Sequence, residues 1–275
     1  MNLGDAYVIA WALAEEYQKR EQARMDDLSA KNFVWRVGCL VLRVKNQILE
    51  YLDDIQLSEI NGDINGAFNN WVRYDSRDKL LLENINLSLD RIEGKIDAKL
   101  KSHLNNILKI NLFPLYIVAV GFRSTALAEY KHRFITDNNT KIQYTESIRQ
   151  MWKRSLENWN LIDEIVQEIN NNRFSNPEIE VRGNFDDVWF IARYKIDGNW
   201  REVKRIRADT QERCHPGGHD GPTCEWTYSY PRGESESQML VQATEERNND
   251  IRNRYLEDNK YFLESEKYIE ASVGL

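Results

Sequence analysis

Proline, glycine and cysteine are scarce in this chain, which has 5, 13 and 3 of them in 275 residues. Because proline and glycine interrupt regular structure, their scarcity favours long helices over many short strands. Long apolar runs are lacking too, since Lys109, Asn111 and Arg123 interrupt the most apolar passage before it reaches the ~18–20 residues of a spanning helix. We therefore expect a protein that is made in soluble form.

An excess of basic residues is also absent, because 44 acidic residues outnumber 37 basic ones and the net charge is −7. Proteins that scaffold nucleic acid present a basic field to the phosphate backbone, so we expect no nucleic-acid partner. Apolar residues make up 41% of the chain, which at this length is enough for a sizeable core. This composition is typical of a globular protein and not of a disordered one.

Sequence motifs that carry chemistry are missing as well. The chain has no Ser/His/Asp arrangement, no glycine-rich phosphate loop and no metal-binding pair of helical residues. We expect no enzymatic activity and no cofactor. The N-terminal sequence lacks a basic segment and a cleavage site of small residues, and Asp5 and Glu15 bound its apolar run. It predicts an amphipathic helix.

Hydrophobic residues recur at three- and four-residue steps through most of the chain, which predicts amphipathic helices around a common core. The predicted helices cover residues 5–28, 31–57, 67–74, 79–109, 114–134, 141–173 and 234–272. Asn61–Gly66 is rich in turn residues and predicts a turn. Pro114 suits the first turn of a helix, because its missing N–H costs nothing there. The predicted fold class is mainly α, a multi-helix bundle around a central apolar helix.

The hydrophobic period changes near residue 187, where a β-hairpin with a two-residue turn at Asp197-Gly198 is predicted over 187–207. The register that this turn imposes pairs Arg193 with Glu202, Ala192 with Val203, and Trp189 with Ile206. A further strand is predicted over 223–230. Residues 1–175 and 234–275 then form the helical bundle, and 176–233 form a small antiparallel β insertion before the last helix.

The most informative passage is Ile107–Tyr130, ILKINLFPLYIVAVGFRSTALAEY, which is the most apolar in an otherwise polar chain. Charged amphipathic helices flank it on both sides. A helix of this kind is either the axis of a buried bundle or a segment that enters a membrane after a conformational change. In the first case the protein is a non-enzymatic scaffold or binding protein, and in the second it perturbs membranes.

The middle of the chain, about residues 40–170, resembles the N-terminal helical domain of the three-domain crystal (Cry) insecticidal delta-endotoxins. The resemblance is carried by PLYIVAVGFRSTALAE at Pro114–Glu129, by the long amphipathic helix before it, and by an aromatic helix with Met151-Trp152 and Trp159-Asn160. These segments are similar to the central helix of that family, to the helix preceding it and to the sixth helix. The receptor-binding β-prism and the β-sandwich of the family have no counterpart here.

The resemblance implies an α-helical pore-forming or membrane-perturbing protein, insecticidal in that family, that is secreted or released in soluble form and later becomes membrane-associated. The helical hairpin of residues 79–131 would insert. The implied partners are membrane lipid or a cell-surface receptor, with assembly into homo-oligomers. The residues implied to meet lipid are Leu115, Ile117, Val118, Val120 and Phe122, and those implied to line the pore are Asp90, Glu93 and Asp97.

Two cysteines and two histidines lie between Cys214 and Cys224. A disulfide between the two cysteines would close a loop between two strands, which fits an exported protein. Free thiols in a loop are a second interpretation, and a zinc site with His215 and His219 is a third, although the spacing matches no common zinc finger. The remaining cysteine, Cys39, is expected to be a small buried core residue.

Basic and aromatic side chains are interleaved in the predicted hairpin. Those that we expect to act in surface recognition are Trp189, Arg193, Lys195, Trp200 and Arg205. A surface of this composition binds glycans, anionic lipid or RNA. The alternative is a half-exposed sheet whose aromatic rings pack on the bundle and whose arginines are solvated or paired.

Overall fold

The computed structural model describes residues 3–22, 32–39, 60–75, 77–184, 186–215 and 223–275. Among these residues the chain forms eight helices and five strands. The helices are α1 (Leu3–Gln22), α2 (32–39), α3 (Asn61–Arg73), α4 (Lys79–Lys101), α5 (Asn106–Phe134), α6 (Asn138–Asn172), α7 (Glu236–Asp258) and α8 (Lys260–Val273). The strands are β1 (Glu178–Asn184), β2 (Asp187–Ile196), β3 (Asn199–Arg207), β4 (Asp209–His215) and β5 (Thr223–Ser229). The predicted fold class is confirmed. The chain is mainly helical, its helices pack around a central apolar helix, and it has a small antiparallel β region.

The chain divides into two compact units, which are Met1–Val166 with Asn259–Leu275, and Gln167–Asp258. The first unit is the helical bundle, and the second contains all described strands together with α7. This boundary differs from the predicted insertion at 176–233, because α7 packs on the strands. Met239 and Ala243 of α7 lie in one buried cluster with Phe190 of β2.

Helix α5 is the axis of the bundle and is buried without interruption from Leu112 to Phe122. Aromatic rings from three other helices contact it. The ring of Phe113 contacts Tyr7 of α1 and Phe262 of α8. The ring of Phe122 contacts Phe68 and Trp71 of α3. Helix α1 approaches it closely at Gly121, where an added Cβ would lie 3.1 Å from the Cβ of Leu13. An apolar helix that is covered on several sides is a core helix.

The connection between α4 and α5 falls earlier than predicted. The side chain of Asn105 accepts a hydrogen bond of 2.8 Å from the N–H of Ile107 and caps α5. The helix therefore begins at Asn106, and the predicted place of Pro114 in a first turn is wrong, because this proline lies inside α5.

The predicted turn at Asn61–Gly66 is also wrong, because α3 already begins at Asn61. Ile64 lies on the buried side of this helix together with Phe68 and Trp71. Burial of that side outweighs the low helix propensity of the two glycines in this segment. The predicted continuations of α1 to residue 28 and of α2 to residue 57 lie outside the described residues.

The single helix predicted over 234–272 is interrupted at Asn259, so that α7 belongs to the second unit and α8 to the bundle. Helix α8 is held there by Trp159, whose Nε1–H donates to the carbonyl of Phe262 at 3.2 Å. The rings of the same two residues are stacked.

Strands β1, β2 and β3 form one antiparallel sheet in that order, and β4 and β5 form a separate pair. Asp197 and Gly198 have φ of 50° and 84°, as the predicted two-residue turn requires. The predicted pair of Arg193 with Glu202 is confirmed, but a bulge between Ala192 and Arg193 shifts the register beyond it. The other two predicted pairs are therefore wrong by one residue: Ala192 faces Lys204, and Trp189 faces Arg207.

Candidate functional site

Helices α4 and α5 form a hairpin joined by residues 102–105. Helix α5 has 29 residues and is about 43 Å long at ~1.5 Å per residue, which exceeds the ~30 Å of a bilayer core. It is long and apolar enough to cross a membrane, with a mean hydropathy of 1.4 over its most apolar window, of which 83% is buried. The core helix of a soluble protein meets the same criteria.

The residues that the resemblance assigns to lipid contact are all inside the bundle. Leu115, Ile117, Val118, Val120 and Phe122 are each at most 5% exposed. The conformation described here thus hides this surface from solvent, which is required both of a core helix and of the soluble form of an inserting helix.

The three carboxylates assigned to the pore lie on α4 in different surroundings. Asp90 is exposed and Asp97 partly exposed. Glu93 is only 4% exposed. Its carboxylate accepts hydrogen bonds from Arg123 of α5 at 2.6 Å and Arg154 of α6 at 3.2 Å. Arg123 therefore ties the two helices of the hairpin together.

A second buried charge near the end of α5 connects the hairpin to the rest of the bundle, and sequence reasoning missed it. Glu129 is fully buried and accepts hydrogen bonds from Arg20 Nε at 3.0 Å, Arg133 Nε at 3.1 Å and the Tyr74 hydroxyl at 3.4 Å. Burial, and next the charge of Glu129, raise the pKa of Tyr74, so its hydroxyl stays a donor. We call these four residues the Glu129 cluster.

The next turn of α5 carries a buried lysine. Lys131 is 4% exposed, and its Nζ bonds to Glu21 of α1 and, at 3.0 Å, to Thr145 of α6. The sequence offered one signal for both groups, because Glu129 and Lys131 are charges at the end of the most apolar helix. Such charges are buried only when they are paired.

The tip of the hairpin has an unusual charge pattern. Acidic residues are frequent in the chain, yet none occurs from Ala98 to Ala128, where the charged residues are Lys99, Lys101, Lys109 and Arg123. Residues 101–107 of the tip are largely exposed, and Ile107 is 63% exposed. The sequence from 98 to 128 is thus basic and has no carboxylate, although Lys101 of the tip pairs with Asp97 at 2.8 Å.

In the second unit, the five residues predicted for surface recognition lie on one face of the three-stranded sheet. Trp189, Arg193 and Lys195 lie at alternate positions of β2 and so share one face. Trp200 of β3 lies opposite Lys195. The guanidinium of Arg205 lies 4.5 Å from the Trp189 ring centre. The guanidinium of Arg193 and the Nζ of Lys195 lie 3.7 and 4.6 Å from the ring centre of Trp200. Register and cation–π contacts therefore bring the five together.

This face also carries carboxylates that neutralise part of its charge. Arg193 pairs with Glu178 at 2.9 Å and with Glu180, and Arg182 pairs with Glu180 at 2.7 Å. Arg182 and Arg193 are thus paired, as in the alternative interpretation of the sequence, whereas Lys195 and Arg205 lie over tryptophan rings. The pairing reduces the positive field that nucleic acid requires of a binding face.

Cys214 and Cys224 face each other across β4 and β5 and are joined by a disulfide. Their sulfur atoms and a carboxylate oxygen of Glu212 lie within 4.8 Å of one another, but bonded cysteines are not thiolate ligands. His219, a member of the predicted zinc alternative, lies outside the described residues. Cys39 is exposed and not disulfide-bonded, so its predicted burial is wrong.

No known family model, curated protein or solved structure matches this chain. The resemblance to the crystal toxins therefore depends on the quoted sequence segments alone.

Proposed function

We propose that this protein perturbs or permeabilises membranes by releasing the α4–α5 hairpin from the bundle. The observation that carries the proposal is a buried apolar helix that meets the length and composition criteria for a membrane span, within a stretch from residue 98 to 128 that has basic residues and no carboxylate. A carboxylate is among the most costly groups to move into hydrocarbon, whereas cations are attracted to anionic lipid surfaces.

The polar contacts of the hairpin also support this function. Arg123 pairs with Asp90 and Glu93, which lie in the same hairpin, so these charges remain neutralised when the hairpin moves as one body. The contacts that must break include the Glu129 cluster and Lys131 at the far end of α5, and the hydrogen bond from Arg154 of α6 to Glu93.

Release of dye from lipid vesicles at acidic, neutral and alkaline pH tests the proposal. Val118→Asp is a poor variant for this purpose, because Val118 is buried in the bundle and an unpaired charge there destabilises the fold under either function. Ile107→Asp is better, because Ile107 is exposed at the tip.

The matched control is Leu80→Asp, which changes an equally exposed apolar residue, 66% exposed, at the opposite end of α4. We expect Ile107→Asp to reduce dye release roughly tenfold or more, because an aspartate inside a bilayer costs about 2.5–3.5 kcal/mol, and Leu80→Asp to have little effect. No release by folded wild-type protein at any pH, or equal release by the two variants, contradicts the proposal.

The clustering of five basic and aromatic residues on the sheet face favours a second candidate function, a non-enzymatic scaffold or binding protein. Because Arg182 and Arg193 of this face are paired with glutamates, a neutral glycan suits it better than RNA. Binding that is abolished by Trp200→Ala and is insensitive to salt supports a glycan, whereas a steep salt dependence indicates RNA.

A further inference from the structure

A cavity of about 370 Å³ lies in the bundle where the last turn of α5 meets the first turns of α6. Neither of the proposed functions assigns it a role. Its lining includes Lys131 and His132 from α5, and Lys141, Thr145 and Arg149 from α6. The last three are four residues apart, so they form one stripe along the face of α6.

The charges around the cavity leave cationic groups without full compensation. Arg149 donates from one nitrogen, Nη1, to Glu146 at 3.2 Å, and Lys131 is paired with Glu21 of α1. Among the described residues, no carboxylate lies within salt-bridge distance of Lys141. Lys141 and the remaining nitrogens of Arg149 are thus free to contact an anion.

His132 reports the potential inside the cavity. Burial, and next the nearby charges of Arg20, Lys131 and Lys141, together lower the pKa of His132 to about 4. The opposing carboxylates are Glu21, whose Oε1 lies 3.8 Å from His132 Nε2, and Glu146. The cations outweigh these carboxylates, because the charges that shift the pKa of His132 are all cationic and lower it.

An apolar side chain lines the same cavity. Ile142 is 66% exposed and lies directly beside Lys141 in the first turns of α6. Cations next to an exposed branched apolar residue match a ligand that has an anionic head and an apolar tail.

We propose that this cavity binds a phosphate group, held by Lys141 and Arg149, and that the phosphate is the headgroup of an anionic lipid beside which Ile142 enters the acyl region. The phosphate site stands by itself, whereas its lipid source rests on the proposed membrane function. Thr145 also lines the site, where its hydroxyl accepts from Lys131 and donates to the carbonyl of Lys141.

Binding of inorganic phosphate, followed through the imidazole signals of the four histidines, tests the site directly. A His132→Gln variant identifies the signal of His132. Phosphate is expected to bind saturably and to raise the pKa of His132, since a nearby anion favours the imidazolium. In Lys141→Gln/Arg149→Gln, phosphate affinity should fall roughly tenfold or more. The control Lys153→Gln, which removes an exposed lysine further along α6, should bind like the wild type.

Sedimentation with vesicles of phosphatidylcholine alone, or of equal parts of phosphatidylcholine and phosphatidic acid, tests the source of the phosphate. Binding only to the anionic vesicles, weakened by Ile142→Ser but not by Val241→Ser at an exposed position of α7, supports a lipid headgroup. If Ile142→Ser changes neither vesicle binding nor phosphate binding, the lipid source is overturned.

The phosphate site itself is overturned if phosphate does not bind saturably, or if it binds equally to the double variant. That failure is distinguishable from failure of the proposed function. Absent phosphate binding with intact dye release overturns only the site, and phosphate binding without dye release overturns only the proposed function.

Discussion

Arg20 of α1 and Glu129 of α5 form an ion pair in the interior of the bundle, with Nε and Oε2 separated by 3.0 Å and side chains 4% and 0% exposed. The two residues are 109 positions apart in the chain. This pair joins the proposed inserting hairpin to the helix that covers it. Its strength therefore contributes to how firmly α5 is held against α1.

Removal of one partner of this pair should strongly destabilise the bundle. Arg20→Met leaves Glu129 with Arg133 and Tyr74 but without its most buried cation, and we expect a loss of about 3 kcal/mol of unfolding free energy. Glu129→Gln should cost a similar amount, because it leaves Arg20 buried and unpaired. The double variant should cost clearly less than the sum, because neither charge is then stranded. Urea denaturation measures all three, and strictly additive losses contradict a direct pairing.

The stability of the bundle should fall with acidification through His132. The pKa of His132 is about 4 in the folded protein and 6.5 in the unfolded chain, so below pH 6.5 only the unfolded state gains the proton. Folding free energy contributed by the neutral ring is therefore lost as the pH falls from 6.5 to about 4. We expect this loss to be about 1–2 kcal/mol, because the partly exposed ring is screened by solvent.

Comparison with His132→Gln isolates this effect from all other titrating groups. The difference in unfolding free energy between wild type and variant should be constant above pH 7. On acidification the wild type should lose more unfolding free energy than the variant. A difference that does not change with pH shows that His132 is not held neutral by the fold.

The turn between β1 and β2 should tolerate no side chain at Gly183. Its φ is 109°, and an added Cβ would lie 2.0 Å from the carbonyl oxygen of Asp187, so Gly183→Ala should cost about 3 kcal/mol or more. Gly198→Ala is the matched control, because Gly198 also has a positive φ, 84°, but has open space around its Cα. It should cost about 1 kcal/mol.

Amide hydrogen exchange of β2 measures both substitutions within the second unit. The loss of protection should be much larger for Gly183→Ala than for Gly198→Ala. Equal losses contradict the close approach of Asp187 to this turn.

The helical periodicity of the sequence was enough to predict the bundle and its central helix. Helix α6 was placed almost correctly, because its apolar residues recur regularly. Its start was placed three residues late, and there the carboxylate of Asp137 accepts a hydrogen bond from the N–H of Thr140. The start of α3 was missed because the glycines and asparagines of Asn61–Gly66 suggest a turn, and only tertiary burial of Ile64 overrides that preference.

The sheet register and the buried ion pairs were beyond local reasoning. The extra residue of β3 at the bulge is Val203, because Glu202 faces Arg193 and Lys204 faces Ala192. Val203 packs partly on the core, as Ile206 does, so the alternation of apolar residues in β3 does not reveal the bulge. The charges at Arg123 and Glu129 were visible in the sequence, but their partners Glu93 and Arg20 are distant in the chain. The sequence shows that such charges need partners, but it does not show which residues those partners are.

The release of α5 from α1 is the central claim, and a reversible covalent lock tests it most directly. Leu13→Cys/Gly121→Cys places two cysteines where the Cβ atoms would lie about 3.1 Å apart, so α1 must shift by only a few tenths of an ångström to reach the ~3.5–4.5 Å of a disulfide. The lock is made in a Cys39→Ser background, because Cys39 is exposed and free.

Dye release is then measured with oxidised and with reduced protein, and the Cys39→Ser protein with the same reductant controls for reduction of Cys214–Cys224. We expect no release from the oxidised double-cysteine protein and release equal to that of the control after reduction. Undiminished release from the oxidised, locked protein would show that permeabilisation does not require α5 to leave α1, and would contradict the proposed function.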